Sequence, residues 1–231
     1  MEQYIYLFLG LFLAVLWLII YFHKKDLRRK MLKSSLIGGF SGFIAEYWYL
    51  RDYWRPPTVL GNAVISVEDF LVGFVIIGIS MSIYNFVFRQ NEIEATPTRK
   101  GTFYILFAIG IVAMVSLPPM GFNSMLVSPI SFICFTLFIL FQRPDLLKKA
   151  ILSGILLLAI AFPIYVILFE LIAPDYWNKY WLLPDTKLGI RCYGTIPWIE
   201  IIWYFSWGSF GGVCYDFYSG TKPVPAKNQE L

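Results

Sequence analysis

The sequence predicts an all-α integral membrane protein whose seven transmembrane helices form two three-helix repeats joined by a linking helix. The first observation behind this prediction is composition: 58% of the 231 residues are hydrophobic and only 15% are charged. A soluble domain of this size does not need so much apolar surface. The second observation is a series of long apolar runs separated by short polar loops. The third is an internal similarity between the two halves of the chain.

The internal similarity is clearest around the apolar stretch 194–218. Sliding the chain by 131 positions places Asp69 on Glu200. The same shift places the Tyr-Asn-Phe segment 84–86 on the Tyr-Asp-Phe segment 215–217. Several matched features in the same order indicate a duplication.

Upstream of these segments the similarity continues. Glu46 precedes an Asp-Tyr-Trp triplet at 52–54, and Glu170 precedes the same triplet at 175–177. Because the loop lengths differ, we interpret the pattern as a diverged duplication. The predicted units are a first three-span repeat at 1–96, a linking span at 97–122, and a second three-span repeat with a short cytoplasmic tail at 123–231.

Seven hydrophobic segments are long enough to cross a bilayer. The second contains small residues, including Gly38 and Gly42, which predict close contact with a neighbouring helix. The sixth contains Pro163, which is predicted to kink it. The fourth carries no acid or base and has no counterpart in the duplication, so it is the predicted linking helix. The predicted spans are 4–22, 35–50, 67–88, 101–117, 125–141, 150–173 and 194–218.

The distribution of basic residues predicts a multi-pass protein of the cell membrane, with the amino terminus outside and the carboxyl terminus in the cytoplasm. In this orientation the cytoplasmic segments contain fourteen of the nineteen Lys and Arg residues, as expected from the excess of positive charge in cytoplasmic loops. A three-span unit ends on the opposite side from where it begins. The linking helix therefore lets the second repeat insert in the same orientation as the first.

Several function classes are disfavoured by the sequence. The net charge of +4 arises mostly from short loops, so we expect no nucleic-acid partner. The single histidine, His23, lies beside a basic cluster, and the three cysteines lack the spacing of metal ligands, so no metal site is expected. The sequence contains no glycine-rich phosphate loop or dinucleotide fingerprint, so no cofactor is expected.

Five carboxylates are predicted to lie at one level of the membrane, near the outer ends of spans two, three, six and seven. A pseudo-two-fold axis along the membrane normal would bring the two sets to face each other. A carboxyl group inside an apolar bundle is costly to ionise, which suits a proton donor. The alternative is that these acids bind loop residues at the interface and only hold helices together. The five are Glu46, Glu68, Asp69, Glu170 and Glu200.

One face of the last span combines an acid with aromatic rings. Trp203, Tyr204, Trp207 and Tyr215 fall within roughly 60° of Glu200 on a helical wheel. Aromatic rings stabilise cations. An acid that protonates an alkene beside such rings is suited to carbocation chemistry.

Two short motifs resemble those of the membrane lycopene cyclases of the heterodimeric and fused type. The segment 197–200, Pro-Trp-Ile-Glu, follows the lead-in residues 188–190 and Gly194, and it resembles the Pro-x-Glu-Glu/Asp motif of that family. The segment 66–69, Ser-Val-Glu-Asp, resembles the same motif in the first repeat. Ser66 stands where the family has Pro, and Ile199 stands where it has the first Glu, so neither motif is complete.

The resemblance implies an integral membrane, lycopene-cyclase-like isomerase or intramolecular lyase of carotenoid or isoprenoid biosynthesis. Such an enzyme closes the end of a linear polyene into a ring without net redox change. Glu68 or Asp69 would donate the proton and Glu200 would remove or relay one, while Glu46 and Glu170 would keep the donor protonated. The residues that would line the polyene groove are Trp203, Tyr204, Trp207, Tyr84 and Tyr215.

The expected partners are the lipid bilayer and a lipophilic polyene or isoprenoid substrate. A homo-oligomer or an association with other carotenoid-pathway enzymes is left open by the sequence, as are the substrate and the ring type. Two other functions also remain open. The protein could be a non-catalytic isoprenoid-binding or assembly protein, or a small membrane transporter, because duplicated bundles with buried acids also occur in transporters.

Overall fold

A computed structural model describes residues 2–61, 66–94 and 97–223, and this part of the chain is mostly helical, as predicted. Four short strands form two antiparallel pairs, β1 (Glu92–Glu94) with β4 (Thr221–Pro223) and β2 (Arg191–Tyr193) with β3 (Ile196–Pro197). The α-helices are α1 (Ile5–His23), α2 (Arg28–Asp52), α3 (Val67–Val87), α4 (Lys100–Ser116), α5 (Ser124–Gln142), α6 (Leu147–Tyr165), α7 (Tyr176–Tyr180) and α8 (Trp198–Ser219). A π-helix (Val166–Ile172) continues α6.

Five helical segments in the described residues are long and apolar enough to cross a membrane. They correspond to the predicted spans one, three, four, five and six. Helices α2 and α8, the predicted spans two and seven, are not among them. Helix α2 carries several charged residues, and α8 is rich in Trp, Tyr, Gly and Ser. The five segments are Glu2–His23, Val67–Val87, Lys100–Met120, Ser124–Gln142 and Pro144–Ile172.

The outer surface of the bundle presents large apolar side chains. Phe12 and Val15 on α1, Val112 on α4, and Leu137 and Phe141 on α5 are all exposed. An exposed apolar surface of this kind marks contact with a membrane or with another protein. It is compatible with a lipid environment.

Helices α3 and α8 lie at the centre of the bundle and pack against each other. Helix α3 also contacts α1, α2 and α6, while α8 also contacts α4, α5 and α6. Helix α4 lies at the periphery, where it packs against α5 and α8. The interior of the protein is therefore formed by the two helices that carry Asp69 and Glu200.

Glycine residues allow α2 and α3 to approach closely, as predicted. A Cβ atom at Gly38 would lie 2.6 Å from the carbonyl oxygen of Gly73, and one at Gly42 would lie 2.6 Å from that of Asp69. These separations are shorter than any stable contact between carbon and oxygen. A side chain at either position would force the two helices apart.

The largest boundary differences lie at the starts of α2 and α8, and the helix type changes after Pro163. Helix α2 begins seven residues before the predicted span, because the basic segment that precedes it is also helical. Pro163 lies inside α6, where it lacks an N–H group for the helical ladder, and two residues later the backbone changes to the wider π-helix. Helix α8 begins at Trp198 rather than at position 194, because the β2–β3 turn occupies the preceding residues.

The connections at one end of the bundle join the two halves of the chain. Arg55 N donates to Tyr180 O and Leu182 N donates to Tyr53 O, each at 2.8 Å. The ring of Trp54 stacks on Trp177 with a centroid distance of 5.5 Å. These connections, the first aromatic loop between α2 and α3 and the second aromatic loop between α6 and α8, thus cover the end of the bundle at which the carboxylates lie. Part of the first loop (62–65), part of the connector before α4 (95–96) and the end of the predicted tail (224–231) lie outside the described residues.

Candidate functional site

A cavity of about 70 Å³ lies between α1, α2, α3, α6 and α8. Three of the five predicted carboxylates line it: Glu46 from α2, Asp69 from α3 and Glu200 from α8. All three are buried, with 4–6% of each residue exposed. The described residues that line the cavity include no lysine, arginine or histidine, so no cation compensates these acids locally.

Glu200 is fixed by two phenol groups. The Tyr53 hydroxyl donates to Glu200 Oε1 at 2.5 Å, and the Tyr165 hydroxyl donates to Oε2 at 2.9 Å. Tyr53 belongs to the first half of the chain and Tyr165 to the second. Both oxygens of this carboxylate therefore accept hydrogen bonds, and its orientation is set by both halves of the bundle.

Asp69 and Glu68 are adjacent, but only Asp69 lines the cavity. Asp69 Oδ2 accepts a hydrogen bond from Ser66 N (2.7 Å), and Asp69 N donates to the Ser66 hydroxyl (3.3 Å). This reciprocal pair is a capping box that begins α3. Glu68 Oε1 instead accepts from Val59 N at 2.7 Å and fixes the preceding loop. The motif 66–69 thus has a structural role in starting the helix as well as contributing one carboxylate to the cavity.

Glu46 and Glu170, which were predicted to support the proton donor, have different surroundings. Glu46 accepts a hydrogen bond on Oε1 from Trp54 Nε1 at 2.7 Å and lines the cavity. Glu170 lies on the π-helix and is not among the residues that line it. Its Oε1 accepts hydrogen bonds from the backbone N (2.7 Å) and hydroxyl (2.8 Å) of Thr195. The backbone of Gly194 has φ +52° and lies against the Glu170 carboxylate, where a Cβ would collide. Glu170 therefore holds the β2–β3 turn.

Three of the predicted aromatic residues line the cavity beside Glu200. These are Trp203, Tyr204 and Trp207. Trp203 Nε1 donates to the Tyr49 hydroxyl at 3.0 Å, and the rings of Tyr204 and Tyr165 form an edge-to-face pair with centroids 5.4 Å apart. The cavity thus combines acids with aromatic faces, as the helical wheel predicts.

A second cavity of about 260 Å³, the apolar groove, lies between α2, α4, α5 and α8. It is lined mainly by aromatic and aliphatic side chains, with Lys33 at one end. The acid-lined cavity and the apolar groove share lining residues, so the two spaces adjoin. The shared residues are Ser41, Ala45, Tyr49, Ile77 and Trp207.

The two remaining predicted substrate-binding residues lie towards the other end of the bundle. Tyr215 lines the apolar groove and lies beneath Lys30, whose Nζ is 5.0 Å from the ring centroid. Tyr84 lines neither cavity; its ring packs against Phe88 and lies 5.7 Å from Lys149 Nζ. Tyr84 is therefore far from the acids, because α3 carries it more than four turns beyond Asp69.

The sequence patterns do not identify the residues that orient the carboxylates. Tyr53 and Trp54 belong to a repeated triplet that indicates no role for them, and no pattern selects Tyr165 or Tyr6. Tyr6 of α1 lines the cavity, and its hydroxyl interacts with Asp69. Each of these four is a buried residue with a polar group, and a buried polar group generally has a partner. This rule could have identified these four residues as candidates for buried hydrogen bonds, but it could not have identified their partners.

The fold and the site together define a mostly helical protein with apolar, membrane-compatible helices and a buried cluster of acids and aromatic rings. The chain carries a lycopene cyclase family domain: residues 123–218 match the family model described as Lycopene cyclase. The match includes the motif at 197–200 and confirms the family resemblance there, and the domain supports a role in carotenoid biosynthesis. The match covers the second half of the chain and does not test the tandem arrangement. None of the curated proteins and none of the solved structures compared with the chain matches it.

Proposed function

We propose that the protein is an integral membrane, lycopene-cyclase-like enzyme that closes a ring at the end of a linear polyene by acid catalysis. The observation that carries this proposal is the junction between the acid-lined cavity and the apolar groove. A cavity of about 70 Å³ has room for only the terminal part of a polyene, and the groove of about 260 Å³ offers apolar surface for the carbons that follow. The lycopene cyclase domain at 123–218 supports the same chemistry.

The reaction that this geometry supports is an isomerisation. A proton adds to one carbon of the terminal alkene and leaves a tertiary cation on the other. The π electrons of an internal alkene then form the new carbon–carbon bond and close the ring, and loss of a neighbouring proton to a carboxylate restores an alkene. Electrons and atoms balance without an oxidant or reductant. Trp203, Tyr204 and Trp207 would stabilise the cation through their ring faces.

The proposed environment is the cell membrane, which α2 and α8 would cross together with the five apolar segments. Helix α2 packs against α3, and α8 packs against α5 and α6. Because α3, α5 and α6 lie within the apolar segments, this packing supports a seven-span bundle. With the amino terminus outside, the acid-lined cavity would lie near the outer surface and Lys30 and Lys149 near the cytoplasm.

We also propose that the bundle arose by duplication, with helices α1 to α3 equivalent to α5, α6 and α8. The packing supports this: α3 contacts α1 and α2, as α8 contacts α5 and α6. The cation–π contacts support it too, because Lys30 on α2 lies over Tyr215 on α8 and Lys149 on α6 lies over Tyr84 on α3. A pseudo-two-fold axis would exchange these two pairs. The linking helix α4 would lie outside the symmetric unit.

The direct test is expression of the chain in a lycopene-accumulating host, followed by chromatography of the pigments. We expect cyclic carotenoids with the wild-type chain and loss of that cyclic product with the E200Q variant at the same membrane abundance. If the wild-type protein is folded in the membrane and only lycopene is recovered, the cyclase proposal is wrong. Lycopene that co-purifies with such an inactive protein would favour a binding or assembly role. Substrate-dependent movement of an isoprenoid or ion across proteoliposomes would favour a transporter.

A further inference from the structure

The three carboxyl groups that line the acid cavity differ in how many hydrogen bonds they already accept. Glu200 accepts one on each oxygen, from Tyr53 and Tyr165. Asp69 accepts the Ser66 N–H as part of the capping box and also interacts with the Tyr6 hydroxyl. Glu46 accepts only the Trp54 N–H, on Oε1, and among the described residues no donor contacts its Oε2. Glu46 is therefore the cavity carboxyl that accepts the fewest hydrogen bonds.

At least one of these groups must carry a proton. Three carboxylates in an apolar cavity whose described lining contains no cation would be three uncompensated buried charges, and such groups are neutralised instead. Hydrogen bonds that a carboxyl group accepts favour its ionised form, so the group that accepts the fewest is the easiest to keep protonated. Glu46 accepts one, on Oε1 from Trp54, and its Oε2 can carry the proton while Trp54 fixes the other oxygen.

On these grounds we propose that Glu46 is the acid that protonates the polyene, that Trp54 is its positioning residue, and that Glu200 is the base that ends the reaction. This inference rests on the proposed cyclase function and deepens it. The family resemblance implies that Glu68 or Asp69 is the donor. Glu68 binds the loop at Val59, outside the cavity lining, and Asp69 is committed to the start of α3.

With these roles, every proton that is added or removed has a named donor or acceptor. Glu46 gives its proton to the terminal alkene, forming one C–H bond. The internal alkene forms the ring bond, and Glu200 accepts a proton from a carbon next to the resulting cation as that C–H pair becomes the new alkene. Glu46 loses and Glu200 gains one proton, so the site is reset when Glu200 gives a proton to water and Glu46 takes one from water.

The experiment uses membranes that contain the full chain, incubated with lycopene in D₂O, with products analysed by chromatography and mass spectrometry. The wild-type protein should yield cyclic product that carries one added deuteron. The E46Q variant removes the acidic proton while keeping the shape of the side chain. It should lower both ring formation and deuterium uptake by a factor on the order of 100. The matched control is E170Q, because Glu170 is a half-buried carboxyl group outside the cavity, and it should behave like the wild type.

The E200Q variant separates the two roles. If Glu200 is the base, this variant should still take up deuterium but should release the cation as a water adduct or as a double-bond isomer. The W54F variant keeps Glu46 and loses only its N–H donor. It should lower kcat by roughly tenfold with little change in KM. Protease resistance in the membrane checks that each variant is folded.

Two results would overturn the assignment. Near-normal ring formation by folded E46Q, with deuterium uptake lost in D69N instead, would identify Asp69 as the donor and leave the cyclase function intact. A wild-type protein that forms no cyclic product would reject the cyclase function itself. If the E46Q variant does not fold, the W54F variant becomes the test. An unchanged kcat in W54F would then contradict the assignment of Glu46 as the proton donor.

Discussion

Lys30 binds Asp216 across 186 positions of sequence, with its Nζ 2.9 Å from Oδ1. Lys149, from the second half of the chain, lies 2.6 Å from Oδ2 of the same carboxylate. Glu92 binds both ammonium groups, and all four side chains are largely buried. This ion-pair cluster joins α2, α6 and α8 at the end of the bundle opposite the acid cavity.

Loss of Asp216 should destabilise the whole bundle. The D216N variant would leave two buried ammonium groups with Glu92 as their remaining carboxylate partner. Removing one partner from a buried ion pair costs about 3 kcal/mol. We expect this loss in the free energy of unfolding of the detergent-solubilised protein, followed by tryptophan fluorescence. The control is E2Q, which breaks the solvent-exposed pair with Lys179 and should have a much smaller effect. An equal loss in both variants would contradict a special role for the buried cluster.

The charge of Glu92 should make the free energy of unfolding depend on pH. Burial raises its pKa, but the ammonium groups of Lys30 and Lys149 and the Asn85 amide outweigh burial and hold the pKa well below the ordinary value of 4.5. Because the folded-state pKa is depressed, the ionised form stabilises the protein above pH 4.5, and this contribution is lost as the pH falls below that value. Wild type should therefore be more stable than E92Q by a constant amount above pH 4.5, and the difference should shrink at lower pH. A difference that grows on acidification would show that Glu92 is not the charged member of the cluster.

The predicted orientation can be tested with reporter fusions. Fusions at Arg29, Asn91 and Lys148 should all report a cytoplasmic location, because basic residues are concentrated in these segments. A fusion after Lys187, in the second aromatic loop, should report an outside location. An outside signal at Arg29 would reverse the orientation and place the acid cavity near the cytoplasm.

The sequence predicted the positions of the helices well, because apolar runs of sufficient length leave few alternatives in a bilayer. It also placed Trp203, Tyr204 and Trp207 on the face of Glu200, since these spacings follow directly from helical geometry. The start of α8 could not be predicted from the sequence in the same way. The β2–β3 turn depends on Glu170 binding Thr195, a contact between residues 25 positions apart.

The composition of the acid cavity could be predicted only in part. Asp69 and Glu200 were recognised from the duplicated pattern, and Glu46 was assigned a supporting role. The hydrogen bond from Tyr53 to Glu200 spans 147 positions and follows from the packing of the two halves, which no local pattern encodes. For the same reason Glu68 and Asp69 could not be distinguished until the capping box and the Val59 contact were seen.

The junction between the two cavities should control access of the polyene to the acids. Ala45 lines both cavities, so the A45F variant should fill the junction and lower cyclic product by at least tenfold, an effect of about 1.4 kcal/mol. The matched control is V112F on α4, which adds a ring at a side chain that is 62% exposed on the outer surface. Pigment chromatography of cells with equal membrane levels of each variant measures the effect. Similar activity in both variants would show that the polyene reaches the acids by another route.

The phenol groups of Tyr53 and Tyr165 should be needed for efficient removal of the final proton. Hydrogen bonds to charged groups contribute about 1.5–3 kcal/mol, so loss of either hydroxyl should lower the rate by at least roughly tenfold. The Y53F and Y165F variants keep the rings and remove only the donors to Glu200. We expect kcat to fall with KM nearly unchanged, because these groups orient the base rather than bind the polyene. The control is Y47F, since Tyr47 is exposed and its ring lies against Arg51. A rise in KM with an unchanged kcat would instead assign Tyr53 and Tyr165 to substrate binding.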